Sequence, residues 1–310
     1  MMVGHAALAF AIAAWAAASL GVPRERALLL GAAAGTFAVV PDVDMGYAVV
    51  GVTTAVASGT ASFPETFWAA GNVVHRGLTH SLVVGAFAAT LFGLAATRSR
   101  ARAVAVAGLA SAVLVTFLTA GALEAGVMAS FALAGVVVAL LFARAGLGPQ
   151  AVLAAALVGV LSHPFGDVFT GTTPTLLYPF DVRVLPELIE LSPDPTVHLL
   201  AAFGIELATV WLAVAVYLRL RSLSLRGHVH RRSVLGAGYV GMALVLPPPT
   251  LAASYQFVFS VLAVSLVGVS ADLPTPDLRS LQSRLAVGLT GLAAVTIAWL
   301  AYAAGYLVVG

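Results

Sequence analysis

Residues 71–81, Gly-Asn-Val-Val-His-Arg-Gly-Leu-Thr-His-Ser, place two histidines and an arginine directly before a long apolar run. Three other short polar clusters also lie at the edges of apolar segments: His5, Asp42 with Asp44, and His163 with Asp167. Charged residues make up only 9% of this chain, compared with about a quarter in soluble globular domains. The repeated placement of polar clusters at these edges therefore needs an explanation.

The overall composition is that of a polytopic membrane protein. Hydrophobic residues make up 61% of the 310 residues, and the mean hydropathy is +1.03. The absence of cysteine excludes disulfides and thiolate ligands, so any metal must be held by nitrogen and oxygen atoms. Every one of the 15 basic residues is an arginine. In a membrane protein these arginines chiefly set the orientation, so we expect membrane lipids and no nucleic acid as partners.

Apolar runs that approach the ~20 residues needed to cross the hydrocarbon layer predict an all-α bundle of about ten transmembrane spans. The expected spans are 5–20, 27–41, 80–97, 103–122, 126–143, 150–165, 196–218, 233–247, 253–270 and 284–308.

The arginines predict the orientation of these spans. Thirteen of the fifteen fall in odd-numbered connections, and the exceptions are Arg76 and Arg183. Because cytoplasmic loops are enriched in basic residues, both termini are expected to face out. The polar clusters then lie on the outer face together with His198, whereas His228 and His230 fall on the opposite face.

Two of the clusters have spacings that suit metal ligands. His163 and Asp167 are separated as i, i+4, which brings both to one helical face provided that the helix continues through Pro164. A helix-end histidine with a nearby acid has the same pattern. Asp42 and Asp44 repel each other unless a cation lies between them, but an exposed turn that ends a helix would also contain such residues. Each pattern alone leaves both interpretations open.

The two histidines of residues 71–81 lie about 140° apart around a regular helix. They can converge only if His75 lies in the loop and His80 opens the following span. Thr79 or Ser81 would then cap the start of that span. His5 alone is more typical of an interfacial histidine.

Considered together, the clusters favour a metal site. Four histidines and three aspartates from four separate segments fall on one face, although the orientation was inferred from arginines alone. Seven candidate ligands exceed the four of one tetrahedral zinc, which allows a binuclear centre.

The order of these motifs resembles the YdjM-like family of membrane-bound, LexA-regulated metal-dependent hydrolases. The resemblance covers roughly residues 1 to 200 and rests on His5, Pro-Asp-Val-Asp at 41–44, His-Arg-Gly-Leu-Thr-His-Ser at 75–81, and His-Pro-Phe-Gly-Asp at 163–167, followed by Thr170 and Pro179-Phe180. More distantly, the HxxxD pair is similar to that of zinc-dependent phospholipase C and the single-strand nucleases. The family resemblance implies these metal-site residues: His5, Asp42, Asp44, His75, His80, His163 and Asp167.

The resemblance also implies a membrane-embedded hydrolase core in residues 1–220, with residues 221–310 adding further transmembrane helices. We expect a metal-activated water to attack phosphoesters or lipid-like substrates, with one or two divalent ions per chain. Zinc is the first expectation, with manganese or iron as alternatives. Asp42 or Asp44 would act as the catalytic base. The two outer-face arginines, Arg76 and Arg183, would bind an anionic substrate group.

Other functional classes fit the sequence less well. A metal or proton-coupled transporter usually has ionisable groups near the midplane and repeated halves, whereas this chain has only Glu206 deep in a span and no visible repeat. A scaffold would leave the polar clusters unexplained. Phosphatidate-phosphatase-type enzymes need an arginine before HxxxD and a Ser-Gly-His, and both are absent. Arg76 and Arg183 also have a simpler interpretation, in which each pairs with a neighbouring acid.

The lengths of two spans predict how deep the site lies. The spans that end at Asp42 and His163 contain about 14 or 15 residues, a rise of roughly 22 Å against ~30 Å of hydrocarbon. We therefore expect the site to lie below the outer membrane surface. The two long outer connections, 45–74 and 171–196, would form its walls.

Overall fold

A computed structural model describes residues 2–59, 66–67, 70–71, 75–98, 100–269 and 280–309. Within these ranges the regular structure is helical, with no β-strand, so the predicted all-α class is confirmed. The α-helices are α1 (Met2–Ser19), α2 (Arg24–Phe37), α3 (Ala48–Ser58), α4 (Leu82–Ala95), α5 (Arg100–Ala120), α6 (Ala122–Arg144), α7 (Pro149–Gly166), α8 (Pro195–Arg221), α9 (Tyr255–Ala263) and α10 (Leu281–Val309). Shorter 3-10 helices lie at Pro41–Tyr47, Leu78–His80, Arg231–Leu244 and Val264–Val269.

Among the described residues, six helical stretches are long and apolar enough to cross a membrane, so the chain is a multi-pass membrane protein. They are Arg24–Ala57, Arg100–Ala120, Ala122–Arg144, Pro149–Gly166, Pro195–Arg221 and Leu281–Val308. Shorter apolar helices lie at Val3–Ser19, Leu82–Ala95 and Tyr255–Val269. The expected count of about ten spans is not confirmed. The stretch expected at 233–247 forms a 3-10 helix, which is neither one of the six long apolar helices nor one of the shorter apolar helices.

The chain divides into two compact units. The first contains Met1–Ile189 and Thr209–Tyr217, and the second contains Glu190–Ala208 and Leu218–Gly310. All seven predicted metal-site residues lie in the first unit.

In the first unit, small residues let the helices approach closely. A Cβ at Gly159 of α7 would collide with the Ala34 carbonyl and the Phe37 side chain of α2. Only glycine therefore lets α7 lie directly on α2. His163, about one turn further along α7, is carried to the carboxyl end of α2 by this contact.

Apart from Arg76 and Arg183, the arginines of the first unit lie at the ends of the helices opposite to the polar clusters. The stretch that begins with α2 leads from Arg24 to Asp42, and α7 leads from just beyond Arg144 to His163. The 18 residues of α7 separate its two ends by about 27 Å. The separation of these arginines from the polar clusters is therefore present in the fold as well as in the sequence.

The second unit has a core of its own. Phe257 and Tyr302 are fully buried there, and the hydroxyl groups of Tyr239 and Ser260 are 2.6 Å apart. The indole nitrogen of Trp299 donates a hydrogen bond to the Leu200 carbonyl at 2.9 Å, which ties α10 to α8.

Candidate metal centre

The predicted metal-site residues meet at one end of the first unit. They come from the first turns of α1, the 3-10 helix after α2, the segment before α4, and the carboxyl end of α7: His5, Asp42, Asp44, His75, His80, His163 and Asp167. Six of the seven are buried, with no more than 7% of their surface exposed, and His75 is partly exposed. Ionisable groups at such depth in a membrane protein normally have a functional partner.

The end of α7 has the geometry that the i, i+4 spacing of His163 and Asp167 predicts. The helix continues through Pro164, and His163 Nε2 lies 3.5 Å from Asp167 Oδ2. A Cβ at Gly166 would overlap the His5 ring, so glycine at this position leaves room for that histidine. The rings of His5 and His163 lie 4.1 Å apart, and His5 Nε2 lies 3.4 Å from Asp167 Oδ1.

The segment before α4 brings its two histidines, His75 and His80, close together, as predicted. His75 lies in a turn, His80 ends a short 3-10 helix, and their ring centroids are 4.9 Å apart. Ser81 is the residue that caps α4, where its hydroxyl accepts two backbone amide hydrogen bonds. Thr79 has a different role, because its hydroxyl donates to Asp44 Oδ2 at 2.7 Å.

Hydrogen bonding determines where the proton of His163 lies. Its Nδ1 is 2.6 Å from the carbonyl oxygen of Ala38. A carbonyl can only accept, so Nδ1–H donates, and the neutral ring carries its lone pair at Nε2. That Nε2 faces the centre, 2.9 Å from His80 Nε2 and 3.4 Å from Asp42 Oδ1.

His80 has the same tautomer for a different reason. The single hydroxyl proton of Thr79 is directed at Asp44, so the hydroxyl must accept in its 2.9 Å contact with His80 Nδ1. The lone pair of neutral His80 is therefore also at Nε2. When both rings are neutral, two imidazole lone pairs face each other at 2.9 Å, an arrangement that is repulsive unless a proton or a metal ion lies between them.

Two carboxylate oxygens complete this arrangement. Asp42 Oδ2 and Asp167 Oδ2 are buried and accept no hydrogen bond from the described residues, although Asp167 Oδ2 lies 3.1 Å from His80 Nε2. Buried carboxylate oxygens are costly to leave unpaired unless they coordinate a cation. Ligand atoms ~2.0–2.1 Å from one zinc ion are about 2.9–3.4 Å apart, close to the spacings seen here. The residues present therefore fit a metal ion.

The net charge of the buried cluster also favours a bound metal ion. The carboxylates of Asp42, Asp44 and Asp167 and the guanidinium of Arg76 are all buried, which leaves a net charge of −2 when the histidines are neutral. One divalent ion would balance the remaining charge.

Arg76 bonds to residues of the candidate centre and of the loop after α7. Its Nη2 donates to Asp167 Oδ1 at 2.9 Å, and its Nη1 donates to the carbonyl oxygens of Asp167, Thr170 and Thr172. Its backbone is in the left-handed region, with φ of 67°. Arg76 thus pairs with a neighbouring acid and secures the loop after α7. Arg183 lies further along that loop and is exposed.

In the part of the chain that the structure describes, three groups of candidate ligands have their ligand atoms within 4.8 Å of one another. They are His5, His163 and Asp167; Asp42, His80 and His163; and Asp44, His75 and His80. His198 is in none of these groups, and its Nδ1 accepts the Leu191 amide hydrogen bond. Two connections were predicted to wall the site. In the first, 45–74, α3 is described, while residues 60–65, 68–69 and 72–74 lie outside the described residues.

Sequence reasoning missed the contributions of Thr79, Gly166 and the Ala38 carbonyl. Thr79 was identifiable only as a neighbour of His80, a position that equally fits a helix cap. A backbone carbonyl has no sequence signal at all.

Comparisons with known proteins identify a family for this chain. No curated protein and no solved structure matches this chain significantly. The model of one family, described as YdjM inner membrane protein, matches residues 1–246, further than the roughly 200 residues expected from the motifs. The match covers most of the chain and every residue of the candidate centre. The chain therefore belongs to the YdjM inner membrane protein family.

Proposed function

We propose that this protein is an integral-membrane, metal-dependent hydrolase that acts on phosphoesters or lipid-like substrates. The observation that carries the proposal is the convergence of two buried imidazole nitrogens and two unpaired carboxylate oxygens, from His80, His163, Asp42 and Asp167. His5 adjoins them and completes the set. Nitrogen and carboxylate ligands suit zinc, manganese or iron, and the charge balance supports one divalent ion.

A divalent ion bound here would supply Lewis acidity, which polarises a phosphoryl oxygen and lowers the pKa of water. We assign proton transfer to Asp42, because a carboxylate that holds the ion through one oxygen can take a proton from an attacking water with the other. Both oxygens of Asp44 are already engaged, by His75 and Thr79. The buried setting limits access of bulk water to the reaction.

Substrate binding is assigned to Arg183 in preference to Arg76. The guanidinium of Arg76 is buried and bonded to Asp167 and to the loop that follows it. Arg183 is exposed on that loop, where it is free to contact an anionic headgroup through paired hydrogen bonds.

A metal or proton-coupled transporter is the second candidate, and one observation favours it. The 3-10 segment Pro41–Tyr47 interrupts the helical stretch Arg24–Ala57 at the two aspartates. Transporters bind their ions at such interruptions. Movement of metal into liposomes without hydrolysis would support this candidate over the enzyme.

Removal of metal tests the enzyme directly. Protein purified in detergent and stripped with a chelator is expected to lose hydrolysis of bis(p-nitrophenyl) phosphate and of a short-chain phospholipid, and to recover it when zinc or manganese is returned. Bound metal is measured by mass spectrometry beside each rate. Undiminished hydrolysis by the metal-free protein would contradict the proposal.

We also propose that the centre opens to the outer face of the membrane, as the arginines indicate. Gln150 in the first turn of α7 and Thr172 in the loop after α7 are both exposed, and the chain contains no cysteine. Thr172→Cys is expected to react with an impermeant thiol reagent in intact cells, and Gln150→Cys only after permeabilisation. The reverse pattern would place the centre on the cytoplasmic side.

A further inference from the structure

We propose that Asp44 is a positioning residue, which acts on His80 through Thr79. This inference rests on the function proposed above. Asp44 is 2% exposed, and each of its carboxylate oxygens has a separate partner. Oδ1 accepts the Nδ1–H of His75 at 2.9 Å, and Oδ2 accepts the hydroxyl of Thr79 at 2.7 Å. One carboxylate thus holds both ends of the segment that contains the two histidines.

Thr79 is the link between Asp44 and the metal centre. Its hydroxyl donates to Asp44 and accepts from His80 Nδ1 at 2.9 Å. The direct distance from His80 Nδ1 to Asp44 Oδ2 is 3.7 Å, too long for a hydrogen bond. Metal-ligating histidines commonly donate their second N–H to a carboxylate or carbonyl, which fixes the tautomer and the ring orientation. Here a threonine hydroxyl is interposed, with the same consequence for His80 Nε2.

This hydrogen bonding also revises the ligand set. By distance alone, Asp44, His75 and His80 could hold an ion of their own. The Nδ1 atoms of His75 and His80 both carry protons, however, and these point at Asp44 and Thr79. The group therefore offers no convergent lone pairs at those atoms. Asp44 supports the centre, and a single ion is held by the remaining residues: His5, Asp42, His80, His163 and Asp167.

The first test is zinc titration of the metal-free protein. Thr79→Val keeps the side-chain volume but leaves Asp44 Oδ2 and His80 Nδ1 without their partner. We expect zinc affinity to fall about 10- to 100-fold, and Thr79→Ser to restore it by returning the hydroxyl. Thr116→Val is the matched control, because this buried hydroxyl only donates to the Ala112 carbonyl of its own helix. Its affinity should equal that of the parent.

Asp44→Asn distinguishes a positioning residue from a ligand. We expect the amount of zinc bound at saturation to be unchanged, while the affinity falls about 10- to 100-fold. Fewer zinc ions at saturation would make Asp44 a ligand and overturn the inference.

Parental affinity in Thr79→Val would also overturn the inference. If Thr79→Val does not fold, Thr79→Ala carries the same test. The proposed function itself fails on a different result, namely full zinc affinity in both Asp42→Ala and His163→Ala.

Discussion

Alanine in place of His163 is expected to leave the purified protein without bound divalent metal and to reduce hydrolysis by more than about 100-fold, because loss of a ligand should exceed the loss caused by an outer partner. The substitution removes the Nε2 atom that faces His80 Nε2 at 2.9 Å. It also leaves the Ala38 carbonyl without the Nδ1–H of His163. Metal content and the hydrolysis rate should be measured on the same preparation.

His228→Ala provides the control for this result. His228 lies in the second unit, where its Nδ1 donates to the Ser224 carbonyl at 2.7 Å. We expect this variant to keep full metal content and activity. Parental metal content in a folded His163→Ala protein would exclude His163 as a ligand.

Arg76→Ala is expected to cause a large loss of stability, about 3–5 kcal/mol in the free energy of unfolding, because it leaves a buried charge without its partner. Asp167 Oδ1 would lose its 2.9 Å ion pair, and the carbonyls of Thr170 and Thr172 would lose their donor. Arg76→Lys should recover only part of this stability, since an ammonium cannot reproduce the planar fork of a guanidinium. Thermal unfolding in detergent, followed by intrinsic fluorescence, measures the effect.

Arg183→Ala is the matched arginine control. Arg183 is exposed, so the stability should stay within about 0.5 kcal/mol of the parent, while turnover of an anionic substrate should fall. If Arg76→Lys keeps the parental unfolding temperature and metal content but turns over a phosphoester much more slowly, Arg76 would be assigned to substrate binding.

The sequence predicted the location of the candidate centre better than its chemistry. His5, Asp42 and His163 sit where apolar runs begin or end, and arginines mark the opposite ends of these runs. Both signals are local, because hydropathy and the distribution of basic residues act on each segment separately. The residues that meet at one end of the first unit could therefore be selected without knowledge of the packing.

The role of each side chain could not be predicted from these local signals. Thr79 fits a helix cap, and Arg76 fits a substrate anchor, as long as their partners are unknown. The contact with Asp44 gives Thr79 its role, and the contact with Asp167 gives Arg76 its role. The segment expected at 233–247 illustrates a related limit, since its apolar run does not distinguish an α-helix from the observed 3-10 helix at Arg231–Leu244.

By itself, the sequence determined that this protein is an all-α membrane protein of the YdjM family with candidate nitrogen and oxygen ligands at one end of its helices. Only the tertiary structure decided which atoms carry lone pairs and which carry protons. The proton on His163 Nδ1 depends on Ala38, 125 residues away in the chain, and the proton on His80 Nδ1 depends on a bond between Thr79 and Asp44, 35 residues apart. His163 meets Ala38 because α7 packs on α2 at Gly159, and no local pattern encodes the direction of a hydrogen bond.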